Sequence, residues 1–279
     1  LRRIKLTNHS SEVRVVELTS YAEVVLAVPA ADEAHPAFSN LFVQTEFRPA
    51  AAAILCTRRA SAPEVRPPWL LHVLVGQGGA QGEVTCETDR ARFLGRGGSA
   101  AAPAALLAAG PLANTTGSVL DPIVALRRAV TLAPGESAAI DLVIGAAETR
   151  ETALALVDKY GNPRMSDRAF DLGWTHSQVT LRHLDATEGE AQLYGRLAGA
   201  LIFADPARRA GPAVLRGNRR GQSGLWSYGI SGDAPLVLLR ISDGDKIELV
   251  RQLIQAHSYW RMKGLTADLV ILNEDVSVY

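Results

Sequence analysis

The stretch Arg128-Ala129-Val130-Thr131-Leu132, followed by Pro134-Gly135-Glu136-Ser137 and an apolar run at 139–144, decides the fold class. Two runs of strand length flank a loop whose Pro and Gly are typical of a tight turn. The stretch therefore predicts a β-hairpin. The same combination of short strand-like runs and turn residues recurs in the part of the chain that precedes it.

Residues 1–147 carry a succession of such runs. The segment Val13-Arg14-Val15-Val16-Glu17-Leu18-Thr19 alternates as a strand with one buried face does. Asn8-His9-Ser10-Ser11 predicts a turn before it, because these residue types bond their own backbone. The predicted strands are 4–7, 13–28, 41–47, 53–57, 70–75, 83–87, 91–94, 128–132 and 139–144. Because turns rather than helical crossovers separate them, we expect an antiparallel sandwich.

The pattern changes to helices in residues 148–279. Thr149-Arg150-Glu151-Thr152 predicts a capped helix start, and two further helices are predicted at about 166–184 and 187–204. A buried strand at 236–241, an amphipathic helix at 246–263 and a buried strand at 267–272 then resemble one β-α-β unit. The sequence thus predicts two domains, a sandwich at 1–147 and a mostly helical region at 148–279.

Composition excludes several classes of partner. The 279 residues are 47% apolar, and 29 basic residues balance 29 acidic ones. With a net charge of zero, no global field attracts the chain to nucleic acid or to anionic lipid. We therefore expect no nucleic-acid partner and no membrane contact from this segment. No apolar segment follows Leu1-Arg2-Arg3-Ile4-Lys5 as in a signal peptide, which favours a cytoplasmic location.

The two cysteines, Cys56 and Cys86, lie in apolar alternating runs without a C-x-x-C partner. Neither has a histidine nearby at ligand spacing, so we expect no metal site. Two buried free thiols are the favoured interpretation, and a single disulfide between two strands is the alternative.

The segment 222–233 is chemically the richest part of the sequence. It combines aromatic side chains, short polar groups and three glycines, and the candidate substrate-binding residues in it are Gln222, Trp226, Tyr228, Ser231 and Asp233. A sugar ring needs an apolar face to stack on and polar groups that bond its hydroxyls. The alternative is a packed loop whose aromatics belong to the core. No pair of opposed carboxylates is identifiable, so no catalytic residue is assigned.

Blocks spread over nearly the whole chain resemble the cyclic β-1,2-glucan synthases. In the sandwich they are 19–26, 35–47, 88–97 and 121–128, and in the helical part 174–178, 221–226, 228–233 and 268–274. Several blocks are long enough to be specific, and they include His35-Pro36-Ala37-Phe38-Ser39-Asn40-Leu41-Phe42 and Tyr228-Gly229-Ile230-Ser231-Gly232-Asp233.

The resemblance implies the phosphorylase-like region of glycoside hydrolase family 94, as in these synthases and in β-1,2-oligoglucan phosphorylases. It implies a β-supersandwich, linker helices and an (α/α)6 barrel, on which an Asp acts as general acid while phosphate attacks the anomeric carbon with inversion. We expect this chain to be the first sandwich copy, truncated at its amino terminus, plus its linker, with the barrel beyond Tyr279. In cellobiose-type relatives a Phe-Arg-Asp segment holds the sugar; Asp233 is the counterpart of its Asp, but Ser231-Gly232 replaces the rest.

The resemblance also implies partners. They are a β-linked glucan, the remainder of the parent chain and a second copy in a homodimer. The parent would be a bacterial inner-membrane protein that uses inorganic phosphate as co-substrate, and no cofactor is expected here. Three hypotheses follow: a non-catalytic glucan-binding and scaffolding segment, an enzyme with its own site near Ser231 and Asp233, and a purely structural interdomain module.

Overall fold

A computed structural model describes residues 1–107, 109–203 and 205–274. Residue 204, at the end of the third predicted helix, and residues 275–279 of the second predicted domain lie outside the described residues. The chain divides into two compact units, Leu1–Phe170 and Asp171–Tyr279. The predicted domain boundary at 147/148 stays a prediction.

The first unit contains ten strands and the helices between and after them. The strands are β1 Arg2–Thr7, β2 Arg14–Thr19, β3 Ala22–Glu23, β4 Val43–Arg48, β5 Ala53–Arg58, β6 Trp69–Gln77, β7 Ala80–Asp89, β8 Gly117–Ser118, β9 Pro122–Leu132 and β10 Ser137–Ala147. The helices are α1 Pro29–Ala34, α2 Pro36–Asn40, α3 Arg90–Leu94, α4 Arg150–Tyr160 and the first residues of α5 Pro163–His183.

These strands form two antiparallel sheets. One has six strands in the order β1-β10-β6-β5-β4-β8. In the other, β9 pairs with β7 on one side and with β2 and β3 on the other, the last two in one continuous register. The predicted antiparallel sandwich is confirmed, and the hairpin that decided it is the β9–β10 connection.

The six-stranded sheet buries both of its faces. Along β5, Ile54 and Cys56 contact the core between the sheets, while Ala53 and Leu55 contact a second core. That second core is completed by Ala153 and Val157 on α4. Because α4 covers the outer face, it packs as part of the first unit.

Local hydrogen bonds explain where the predictions held and where one failed. Thr149 caps α4, its hydroxyl accepting from the Thr152 N–H, as the sequence predicted. The strand predicted at 91–94 is wrong, because these residues lie in α3. The Asp89 carboxylate accepts from the Ala91 and Arg92 N–H groups, which caps a helix and ends the preceding strand. The helices α1 and α2 were not predicted.

The second unit contains the rest of α5, then α6 Glu188–Ile202, α7 Pro212–Gly217, β11 Leu236–Ile241, α8 Ile247–Met262 and β12 Asp268–Asn273. The strands β11 and β12 are parallel, in a register that pairs Leu236 with Asp268. This is the predicted β-α-β unit. The core of the second unit contains Tyr194 on α6 and Trp260 on α8. The Trp260 indole N–H donates to the Tyr194 carbonyl at 2.8 Å.

Candidate glucan-binding site

The segment 222–233 folds as a short 3-10 helix over Gln222–Tyr228 and a return loop that leads towards β11. The Gln222 amide joins the two parts, because its Nε2 donates to the Ser231 carbonyl at 2.9 Å and to Asp233 Oδ1 at 2.7 Å. The Asp233 N–H donates to the Ser231 hydroxyl at 3.2 Å. Three of the five predicted site residues are therefore held together by direct hydrogen bonds.

Trp226 joins the same arrangement. Its indole N–H donates to the Ser231 carbonyl at 3.2 Å, yet the residue is 64% exposed. One edge of the ring is fixed, so its apolar surface is presented to solvent in a defined orientation. Such a surface is suited to stacking against the C–H face of a sugar.

Tyr228 is 74% exposed and lies two residues further along the 3-10 helix. Within the described residues, its hydroxyl has no hydrogen bond to the other four site residues. Both aromatic side chains of the segment are thus on the surface of the second unit, rather than in the core that Tyr194 and Trp260 form.

A glycine is required where the return loop passes Gln222. Gly232 has a φ of +77°, in the left-handed region, and a Cβ there would lie 2.8 Å from Gln222 Cγ. The close approach lets the Gln222 amide reach both sides of Gly232, at Ser231 and Asp233.

The polar groups of the segment suit binding better than acid–base chemistry. Asp233 supplies its one carboxylate, and Gln222 occupies only one of the two oxygens. Inverting and retaining glycosidases use two carboxyl groups, on opposite sides of the scissile bond. The segment can accept a hydrogen bond from a sugar hydroxyl, but by itself it lacks the second acid.

A serine–histidine pair and two cysteines in the sandwich are buried. Ser20 and His72 form a hydrogen bond of 2.7 Å between the sheets, where both are buried, and burial lowers the pKa of His72 to about 4. Cys56 and Cys86 are buried free thiols, and burial raises the pKa of each to about 12. The single-disulfide alternative is therefore wrong. Neither pair is accessible to a substrate.

Comparison with known proteins identifies the family of this chain. Residues 1–163, the sandwich together with α4, match the family described as "Glycosyl hydrolase 94, supersandwich domain". The chain belongs to this family. The family 94 sandwich confirms the resemblance drawn from the sequence blocks, and the candidate site at 222–233 lies after the matched residues.

A curated relative covers the site as well. This chain is 37% identical to the cyclic beta-(1,2)-glucan synthase NdvB of Rhizobium meliloti (strain 1021), over 278 residues that cover 100% of the chain. The chain spans 10% of the length of that protein.

Proposed function

We propose that this chain binds β-linked glucan through the segment 222–233 and acts as a non-catalytic part of a longer cyclic β-1,2-glucan synthase or β-1,2-oligoglucan phosphorylase. One observation carries the proposal: Trp226 and Tyr228 are exposed in a segment whose polar groups already bond one another. These polar groups are those of Gln222, Ser231 and Asp233. Exposed aromatic rings on a fixed loop are what a glucose ring stacks on.

The hydrogen bonds within the segment 222–233 lower the conformational entropy that its side chains lose when a ligand binds. Gln222, Ser231 and Asp233 bond one another without ligand, so little side-chain ordering remains for the moment of binding. The neutral charge of the whole chain agrees with an uncharged polymer as ligand. The relative is a cyclic β-1,2-glucan synthase, and this supports a ligand of glucose units with β-1,2 linkage.

A scaffolding role is the second part of the proposal. Large apolar side chains are exposed over much of the second unit, among them Leu172, Phe203, Val214, Leu215 and Ile247. Where such side chains form a contiguous patch, the patch marks an interaction site, and this is the basis of the scaffolding proposal. We assign it to the remainder of the parent chain, including an inverting phosphorylase barrel that would use inorganic phosphate, with a homodimer contact as a further use.

The location of the parent also belongs to the proposal. None of the helices formed by the described residues is long and apolar enough to cross a membrane. We propose that this segment lies on the cytoplasmic side of a bacterial inner-membrane protein, whose membrane-spanning parts are elsewhere in the sequence.

A fluorescence titration tests glucan binding. The chain is titrated with β-1,2-linked glucan while tryptophan emission is followed, in wild type, Trp226→Ala and Trp174→Ala. Trp174 is the matched control, because it is equally exposed but lies on α5. We expect a saturable change that Trp226→Ala abolishes and Trp174→Ala preserves. The same change in Trp226→Ala would show that the segment 222–233 only packs, and no change in wild type would support the purely structural alternative.

A second assay separates the non-catalytic role from an enzyme with its site near Ser231 and Asp233. The chain is incubated with glucose 1-phosphate and a β-1,2-glucan acceptor, and phosphate release is measured. We expect no release above that of a reaction without protein. Release by wild type that is lost in Asp233→Asn would establish the enzyme instead.

A further inference from the structure

A cavity of about 490 Å³ lies at the amino-terminal end of the parallel strands β11 and β12. The end of α8 and the loop that follows it line the cavity, and its polar side chains are His257, Arg261, Thr266 and Asp268. Its volume falls within the range of roughly 300–1,000 Å³ that small-molecule sites occupy.

Asp268 carries an unsatisfied acceptor. Its Oδ2 is shielded from solvent and has no hydrogen-bond partner among the described residues. The backbone of Asp268 is fixed, because its N–H donates to the Pro235 carbonyl at 2.8 Å. Desolvating one oxygen of a carboxylate without a partner is unfavourable, so hydrogen bonds from a ligand to the carboxylate of Asp268, which lines the cavity, would offset part of this cost.

His257 supplies a second acceptor. Its Nε2 lies 2.8 Å from the Ala267 carbonyl oxygen. Because a carbonyl oxygen can only accept, Nε2 carries the hydrogen, and Nδ1 of the neutral ring keeps its lone pair.

Arg261 supplies the donors. It lies four residues after His257 on α8, hence on the same face of the helix. In the part of the chain that the structure describes, its guanidinium forms neither an ion pair nor a hydrogen bond. This contrasts with Arg251 on the same helix, which pairs with Glu248 at 2.6 Å.

We propose that this cavity binds a neutral, polyhydroxylated molecule of sugar size, whose hydroxyls accept from Arg261 and donate to Asp268. The opposite charges of Arg261 and Asp268 balance each other, so the cavity offers no excess charge to an ionic ligand. A phosphate would meet the Asp268 carboxylate, and a cation would meet Arg261. The proposal thus adds a second sugar contact that is separate from Trp226.

The topology places this contact near the candidate site. The strands β11 and β12 are parallel, and Leu236 at the start of one pairs with Asp268 at the start of the other. The return loop that follows Trp226 therefore reaches the same end of the sheet as the cavity. That the sugar is a glucose unit of the same glucan rests on the proposed function.

Calorimetric titration with a β-1,2-linked glucose disaccharide tests the cavity. The proteins are wild type, Arg261→Ala, Asp268→Asn and, as matched control on the same helix, Arg251→Ala. Losing a hydrogen bond to a charged group raises Kd by about tenfold or more. We expect this increase in Arg261→Ala and in Asp268→Asn, and an unchanged Kd in Arg251→Ala. Arg261 is exposed, so its replacement leaves the fold intact.

The outcomes separate the cavity from the proposed function. Unchanged Kd in both cavity variants overturns the cavity proposal, while a loss in Trp226→Ala leaves the proposed function standing. An effect of Arg261→Ala and Asp268→Asn with none of Trp226→Ala supports the cavity and contradicts the segment 222–233. Inorganic phosphate is titrated as a second probe, and phosphate binding that Arg261→Ala abolishes would contradict a neutral ligand.

Discussion

At the scale of single residues, one ion pair joins the first strand to its neighbour. Arg3 and Asp141 face each other across β1 and β10, and two hydrogen bonds of 2.7 and 2.8 Å connect them. The Asp141 side chain is completely buried. Arg3 also bonds Asp167 at 2.7 Å and lies over the Phe170 ring, 5.0 Å from its centroid, so it links the sheet to α5.

Removing Arg3 leaves a buried carboxylate without its partner. We expect Arg3→Ala to lower the free energy of unfolding by about 3 kcal/mol, the usual cost of breaking a buried pair on one side. Urea unfolding measures the change. Arg251→Ala is the control, because its pair with Glu248 is exposed to solvent and therefore contributes little to stability. Equal effects of the two substitutions would contradict the assigned role of Arg3.

His72 makes the stability of the sandwich depend on pH. Burial lowers its pKa from 6.5 to about 4. Between these values the unfolded chain binds a proton that the folded chain does not, so stability falls as pH falls. We expect the free energy of unfolding to decrease by up to about 3 kcal/mol more in wild type than in His72→Asn, between pH 6.5 and pH 4.

Urea unfolding at a series of pH values measures this difference. Carboxylates titrate equally in both proteins, so the comparison isolates His72. The exposed His9 provides the control, and His9→Asn should follow the wild-type pH dependence. Parallel pH profiles for wild type and His72→Asn would show that the imidazole is not held neutral.

At the scale of elements, the sequence predicts what local chemistry determines. The β9–β10 hairpin follows from Pro134 and Gly135, and the start of α4 follows from Thr149. Four apolar or basic residues at 91–94 suit a strand or a helix equally, and the contact of the Asp89 carboxylate with backbone N–H groups decides for the helix. Both α1 and α2 begin with proline, which is a sequence signal for the start of a helix.

For the candidate site too, the sequence predicts some features and not others. Gln222, Trp226, Tyr228, Ser231 and Asp233 are close in sequence, so their grouping could be predicted from it. Their exposure could not, because the same aromatic pattern occurs in packed loops. In the cavity, the four-residue spacing of His257 and Arg261 predicts that they share a face of α8. Asp268 lies in the same lining only because the chain turns back from α8 into β12, which the sequence does not show.

The return loop of the site depends on Gly232. A side chain there meets Gln222 and requires a left-handed backbone, which is unfavourable by about 1–2 kcal/mol. We expect Gly232→Ala to raise the Kd for β-1,2-glucan by about tenfold. Gly221→Ala is the matched control, since Gly221 has open space around it and a φ of −84°. Calorimetry that finds the same Kd for both variants would contradict the role of the loop.

At the scale of the whole molecule, the two units differ in how their apolar side chains are covered. The sandwich buries both faces of its larger sheet, with α4 covering the outer one. The second unit instead exposes aromatic and aliphatic side chains on several helices. In the proposed function, this surface contacts glucan and the rest of a longer parent protein.

The four indole N–H groups report on this account directly. Trp69, Trp174, Trp226 and Trp260 are the tryptophans of the chain, and each gives its own signal in a ¹⁵N–¹H correlation spectrum. During titration with a β-1,2-linked glucose oligosaccharide, we expect the Trp226 signal to move saturably while that of the buried Trp260 stays in place. A Trp226 signal that does not move at saturating oligosaccharide would contradict glucan binding by the segment 222–233.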